Sequence, residues 1–167
     1  MTAKTAWAGG TLDGANGAYF AAFGTEINSL PTGDAVLSTL SFDNTVATLG
    51  TPDQFMDLSF VGAYAASETV GAGAGLSFFL YVLQADGVTF GDGRLVAGTQ
   101  AAFQPLLCPI GGIPIQTGTV TTFAGNITGF VLPPRKFALV LSSNALFTLA
   151  ASGLSCSIST YRQNVNA

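Results

Sequence analysis

Apolar and polar residues alternate with a period of two in several stretches, which predicts β-strands that bury one face. In residues 154–160, Leu154, Cys156 and Ile158 alternate with three serines. Residues 54–64 and 136–141 alternate in the same way. Weaker runs predict further strands at residues 35–42, 94–100, 116–123 and 126–131. No segment keeps a helical period over more than two turns, so the chain is predicted to be all-β.

The last quarter of the chain is the easiest part to interpret. Pro133 and Pro134 end the preceding element, because proline cannot donate to a β-ladder. Turn clusters at residues 142–144 and 152–153 then divide the remainder into three strands. We expect these strands to form a meander that closes the domain.

A membrane-spanning helix is the rival interpretation of residues 137–161, which carry no charge and are long enough to cross a bilayer. Serine, threonine and turn residues recur through this stretch, many of them on alternate positions. A spanning helix would have a continuous apolar surface, so strands are the favoured prediction and no membrane partner is expected.

Residues 76–84 are apolar on both faces of the predicted strand. One face carries Leu76, Phe78, Leu80 and Val82, and the other carries Phe79, Tyr81 and Leu83. Because a single sandwich covers only one face of a strand, we expect another chain, an arm or a loop to cover the second. Phe79, Tyr81 and Leu83 are therefore candidate partner contacts.

Residues 1–33 keep no period and are rich in glycine and alanine. They contain four aromatic residues that need something to pack on: Trp7, Tyr19, Phe20 and Phe23. This pattern predicts an irregular N-terminal arm that becomes ordered against a partner, with these aromatics as contacts. Residues 34–167 are then an antiparallel β-sandwich, and the long connections between its strands favour a jelly roll.

Glycine-rich segments give no firm binding motif. The loop at residues 71–75 resembles a phosphate-binding loop only superficially, because a strand rather than a helix follows it. Asp86 and Asp92 lie in glycine-rich turns, but their spacing does not match a calcium loop. The sequence therefore predicts no metal and no cofactor.

Charge is scarce, at 8 % of residues against about 25 % in an ordinary soluble domain. Such a surface has little to keep copies apart, so we expect self-association as a dimer or trimer, or burial in a larger body. The net charge is −4 and only five residues are basic, which argues against nucleic-acid binding.

Catalytic residues are hard to find in this chain. It contains no histidine, which excludes Ser–His and Cys–His pairs and the usual neutral-pH proton carrier. The acidic residues lie mostly beside turn residues, and only Asp57 falls in the middle of a predicted strand. We therefore predict that the protein is not an enzyme.

Two cysteines, Cys108 and Cys156, are present. Cys156 lies in phase with the apolar face of its strand, as a buried free thiol would. The N-terminus lacks the apolar core of a signal peptide, which favours synthesis in a cytoplasm and reduced thiols. A disulfide between the two remains the alternative in an oxidising compartment.

The C-terminal segments Leu132–Phe137, Leu139–Asn144 and Ile158–Arg162 resemble the endings of jelly-roll virion proteins of tailed phages. With the low charge and the aromatic N-terminus, the chain resembles a capsid decoration, or cement, protein. The resemblance implies a structural protein on the capsid exterior that binds the major capsid protein and is made in the host cytoplasm. The alternative is a carbohydrate- or receptor-binding sandwich of a phage tail or adhesin.

Overall fold

The computed structural model describes residues 4–9, 19–45, 51–65, 70–83, 98–100, 108–115, 122–144 and 148–166. Side chains are described for most of these residues, but not for Trp7 or Phe20. The strands are β1 (Lys4–Gly9), β2 (Phe20–Ala21), β3 (Ala35–Asp43), β4 (Phe55–Ala63), β5 (Gly75–Val82), β6 (Gly98–Gln100), β7 (Cys108–Pro114), β8 (Thr122–Val131), β9 (Lys136–Ser143) and β10 (Ser155–Asn166). A 3₁₀ helix occupies Thr25–Ile27.

The strands form two antiparallel sheets. The front sheet has the order β1-β10-β4-β8, with β2 also paired to β10. The back sheet has the order β6-β3-β9-β5-β7. The predicted all-β antiparallel sandwich is confirmed, and the finer assignment to a jelly roll stays a prediction. In the part of the chain that the structure describes, no helix is long and apolar enough to cross a bilayer.

The strand pairs are nested along the chain. β10 pairs with β1 and β2, β9 with β3, β8 with β4, and β7 with β5. The predicted C-terminal meander is wrong, because β9 lies in the back sheet and β10 in the front sheet. The connection between them passes from one sheet to the other, and Leu149 makes an isolated bridge with Tyr64 on the way.

The inner faces of the two sheets form the core, and their residues are those that the period-two runs predicted to be buried. The front sheet contributes Met56, Leu58, Phe60, Cys156 and Ile158, and the back sheet contributes Leu76, Phe78, Leu80, Phe137, Leu139 and Leu141. Phe60 and Phe78 meet across the sandwich with their ring centroids 5.8 Å apart. Burying a large apolar side chain of this kind contributes about 1.5–3 kcal/mol.

The described part of residues 1–33 does not stand apart from the sandwich as an arm. β1 and β2 extend the front sheet, and the Ala22 N–H donates to the Cys156 carbonyl at 2.8 Å. Residues 22–30 then close one end of the core with buried apolar side chains: Ala22, Phe23, Ile27 and Leu30. The described part of this segment therefore contributes to the core, and the domain boundary expected at residue 33 stays a prediction.

A bulge in β3 connects this N-terminal segment to the back sheet. The register of β3 against β9 shifts between Leu37 and Ser41, and the Leu139 N–H donates to Ser38 Oγ at 3.0 Å. Glu26 Oε1 accepts the Thr39 N–H at 2.9 Å. Burial opposes ionisation of Glu26, but the hydrogen bonds from Thr39 and nearby backbone leave its pKa below the usual value. The bulge also explains why Leu40 is exposed although Val36 and Phe42, at alternate positions of the same strand, are buried.

The two cysteines are free, as predicted, and differ in environment. Cys108 is exposed at the start of β7, whereas Cys156 is buried in β10. Burial in an apolar core disfavours the thiolate and raises the pKa of Cys156 to about 12. Its stabilising contribution is complete below pH 9.0, the ordinary pKa of the thiol, and is lost as the pH rises towards 12.

We expect one thiol to react with a disulfide reagent at neutral pH in the folded protein and both to react in denaturant. Cys108→Ser should abolish the fast reaction, and Cys156→Ser should leave it unchanged. Two slow thiols in the folded protein, or none after unfolding without reductant, would contradict this assignment.

Phe23→Ala should lower the free energy of unfolding by about 3–5 kcal/mol, because it removes a buried ring from the core. Tyr19→Ala is the matched control, since Tyr19 is 56 % exposed and its loss should cost less than about 0.5 kcal/mol. Urea unfolding of both variants measures the difference. Equal, small effects would show that residues 19–33 form a dispensable arm.

Candidate functional site

The outer face of the front sheet carries the most chemically varied group of described side chains. In β4, burial alternates residue by residue, so Met56, Leu58 and Phe60 point into the core. Phe55, Asp57, Ser59 and Val61 therefore lie on the opposite face. On β10 the same face carries Ser157, Ser159 and Tyr161.

Phe55 and Tyr161 form an aromatic pair at one end of this face. They are directly opposite each other in the ladder between β4 and β10. Their ring centroids are 5.5 Å apart and their planes differ by 21°, a stacked arrangement. Aromatic cross-strand pairs stabilise antiparallel sheets and present a broad apolar surface.

Asp57 connects this pair to β8. Its Oδ1 accepts the Tyr161 hydroxyl at 3.1 Å and the Gly129 N–H at 2.8 Å. Gly129 has a φ of +73°, a conformation that L side chains rarely adopt, and it lies beside the register shift between β4 and β8. The one acid that the sequence placed in mid-strand therefore holds a bulge and orients a tyrosine.

These surroundings shift the pKa of the Tyr161 hydroxyl. Burial, followed by the charge and hydrogen bond of Asp57 and a smaller effect of Tyr19, raises the pKa of Tyr161 above its ordinary value. The protonated hydroxyl is the form that the site stabilises, which agrees with its role as a donor to the carboxylate.

A surface depression of about 650 Å³ adjoins the aromatic pair. Val131 is an exposed part of its wall, with 66 % of its surface accessible, whereas Asp53 and Leu132 are buried. The lining residues are Thr51, Pro52, Asp53, Gln54, Phe55, Val131, Leu132 and Pro134. Its size is within the range of small-molecule sites, and its lining is mainly apolar.

A buried asparagine holds the segments that line this depression. Asn44 Oδ1 accepts the Asp53 N–H at 2.8 Å, and its Nδ2 donates to the carbonyls of Asp53 and Pro133 at 2.9 Å each. The Thr160 hydroxyl donates to Asp53 Oδ2 at 2.8 Å. These bonds connect four separate described segments, so the shape of the depression is set by the fold.

The glycine-rich segment before β5 forms a second, smaller depression of about 300 Å³. Asn144 holds its turn, since Oδ1 accepts the Gly75 N–H at 2.6 Å and Nδ2 donates to the Gly73 carbonyl at 2.9 Å. β5 follows directly, which confirms that the helix required by a phosphate-binding loop does not follow these glycines.

The predicted partner contacts are not brought together in one place. Trp7 lies in β1 opposite Gln163, and Phe20 lies in β2 opposite Ile158, so their backbones belong to the front sheet. Tyr19 is exposed, whereas Phe23 is in the core and offers little surface to a partner.

Phe79, Tyr81 and Leu83 lie on the outer face of the back sheet, as predicted. Tyr81 is 1 % exposed and Leu83 is 5 % exposed in the isolated chain, with Phe79 packed partly buried against them. The chain therefore covers most of this face without a partner, because that burial is already present in a single copy. A role in partner binding stays a prediction for all seven residues.

The sequence patterns did not identify Phe55 and Tyr161 as candidate site residues. The phase of β4 was the available signal, because Phe55 is out of step with Met56, Leu58 and Phe60 and must face outward with Asp57. Within the described ranges, no three acidic or thiol side chains gather to hold a metal ion. Asp86 and Asp92 lie outside those ranges.

Comparisons with protein-family models and with curated proteins find no match to this chain. Any function proposed for the chain therefore depends on its topology, surface and composition.

Asp57→Asn should lower the pKa of Tyr161 towards the ordinary value of 10.0 and cost about 1–2 kcal/mol of stability, since a charged acceptor of two hydrogen bonds is lost. The raised pKa stabilises the fold below pH 10.0, and this contribution is lost as the pH rises further. The variant should therefore lose less of its remaining stability at alkaline pH than the wild type.

Tyrosinate absorbance against pH measures the shift, and urea unfolding at several pH values measures the stability. Tyr161→Phe is the control, because it removes the titrating hydroxyl and leaves the ring stacked on Phe55. An unchanged tyrosine titration in Asp57→Asn would contradict the coupling.

Proposed function

We propose that this chain is a structural virion protein that decorates and stabilises the outside of a tailed-phage capsid. The observation that carries the proposal is the nested pairing of strands across two sheets. A long antiparallel hairpin that is rolled up pairs its first strand with its last, its second with its next to last, and so on. The two sheets here have that order, and we accordingly propose that the fold is a jelly roll.

Jelly rolls are common in viral capsid and lectin domains, so the topology favours these two classes. The low charge content supports the first, because a chain with few charged residues is suited to close packing among copies and against a shell. A net charge of −4 supports an outer position rather than one facing the packaged DNA. We propose that its partners are other copies of itself and the major capsid protein.

The role proposed is structural and not catalytic. The sequence lacks histidine, and Asp57, the acid nearest the aromatic pair, uses one carboxylate oxygen in two hydrogen bonds that hold the sheet together. A carboxylate that accepts these two hydrogen bonds is poorly suited to act as a general acid or base as well.

The aromatic end of the front sheet is the best-supported contact area. Tyr19 and Val131 are exposed there, beside the stacked Phe55 and Tyr161. Aromatic anchors flanked by apolar side chains dominate the energetics of many interfaces. Many copies on one shell would multiply modest individual affinities.

A carbohydrate- or receptor-binding module is the second candidate. The observation that favours it is the aromatic pair beside a depression of about 650 Å³. Sugar rings stack on aromatic faces, and Gln54 and Thr51 would supply polar groups. A glycan array with the free protein separates this candidate from the first, and Phe55→Ala should abolish any binding found there.

We expect the protein to sediment with purified virions in a fixed ratio to the major capsid protein and to be cleaved by protease on intact particles. Val131→Asp should reduce decoration of shells that lack the protein by at least about tenfold, because a charge would be buried at the contact. Val61→Asp, at the other end of the same face, is the matched control.

Absence from virions would overturn the proposal, and so would protection from protease until the shell is opened. Equal decoration by Val131→Asp and the wild type would leave the virion role standing but move the contact away from this end of the front sheet.

A further inference from the structure

The free edges of the two sheets differ in how they are protected against pairing with another chain. Among the described strands, β1 and β8 end the front sheet, and β6 and β7 end the back sheet. β1 carries Lys4, β6 has three described residues, and β7 contains Pro109 and Pro114. Charge, short length and proline are the usual means by which natural proteins block edge-to-edge association.

β8 has none of these protections. It is ten residues long, Thr122–Val131, and its sequence TFAGNITGFV contains no charge and no proline. Its bulge lies at the far end, where Gly129 is held by Asp57. Residues 122–127 keep a regular register against β4, so they form a regular, uncharged edge.

We propose that β8 pairs antiparallel with β8 of a second copy of this chain, about a two-fold axis at Gly125, to join two front sheets into one. This is an isologous interface, in which each copy presents the same strand. The inference goes beyond decoration of a capsid and does not depend on it.

The alternation of side chains restricts the register of such a pair. A two-fold axis perpendicular to the sheet keeps both inner faces on the same side, so residues opposite each other must come from the same face. Centring the axis on Gly125 uses the regular residues 122–127 together with Thr128, where the register shift against β4 begins. It places Phe123 opposite Ile127, Ala124 opposite Asn126, and Thr122 opposite Thr128.

These pairs suit an antiparallel interface. Phe123 and Ile127 are both partly buried against the core, so each copy would extend the apolar layer of the other. Aromatic–β-branched pairs and Thr–Thr pairs are among the favourable cross-strand combinations. On the outer face Ala124 and Asn126 are exposed and small enough to lie side by side.

Packing within a single copy requires a glycine at position 125, the residue at the axis. A Cβ on Gly125 would come within 2.4 Å of the Ile113 side chain from the back sheet. Because β8 is uncharged, two chains of net charge −4 place no like charges opposite each other along it.

Introducing charges at Ala124 and Asn126 tests both the edge and the register. Ala124→Asp with Asn126→Asp places like charges opposite each other, and Ala124→Lys with Asn126→Lys does the same. By sedimentation velocity over a range of concentrations, the wild type should dimerise, and each variant should associate at least about tenfold more weakly. An equal mixture of the two variants should form heterodimers.

Ala124→Lys with Asn126→Asp in one chain should restore the homodimer, since the lysine introduced in each copy would then face the aspartate introduced in the other. Val61→Asp with Ser155→Asp, on inner strands of the same sheet face, is the matched control and should dimerise like the wild type. Far-UV circular dichroism checks that every variant is folded.

A wild type that stays monomeric at high concentration would overturn the proposal. So would dimers that persist in both like-charge variants, because another surface would then hold them. Loss of association in the control as well as in the edge variants would show a general charge effect rather than pairing of β8.

Discussion

The packing of the two sheets around Phe60 is the contact on which the rest of the sandwich depends. Phe60 is fully buried, and its ring lies 5.8 Å from Phe78 in the back sheet and 5.7 Å from Phe123 in the neighbouring strand. Gly62 leaves room for the ring, because a Cβ there would come within 2.4 Å of it. With β4 held in this phase, the pleat turns Phe55 and Asp57 outward, so the inner core determines the outer surface.

Local periodicity was sufficient to predict the longest alternating strands and the faces that they bury. The runs at residues 54–64, 136–141 and 154–160 correspond to β4, β9 and β10, and their apolar faces form the core. Periodicity describes the two faces of one strand and contains nothing about its neighbours. The pairing of β9 with β3 and β5, and of β10 with β4, therefore could not be read from the sequence, and the expected meander was wrong.

The burial of residues in the N-terminal segment could not be predicted for a related reason. Phe23, Ile27 and Leu30 are buried without a regular spacing, because a turn and a 3₁₀ helix place them against the end of the core. The candidate site could not be predicted from the sequence for the same reason. Phe55 and Tyr161 meet only because β4 and β10 are neighbours in one register, and Asn44 reaches Asp53 and Pro133 only after the sandwich has closed.

The nested order of the strands also has a consequence for how the chain reaches its native state. The pairs between β5 and β7 close the shortest segment, and each outer pair encloses a longer one, up to Lys4 with Asn166. Contacts between distant residues fold slowly, because the entropy of closing each loop is lost before the contact forms. β4 is paired on both sides only when β10 has been synthesised, so on the ribosome the front sheet remains incomplete until translation has reached the last strand.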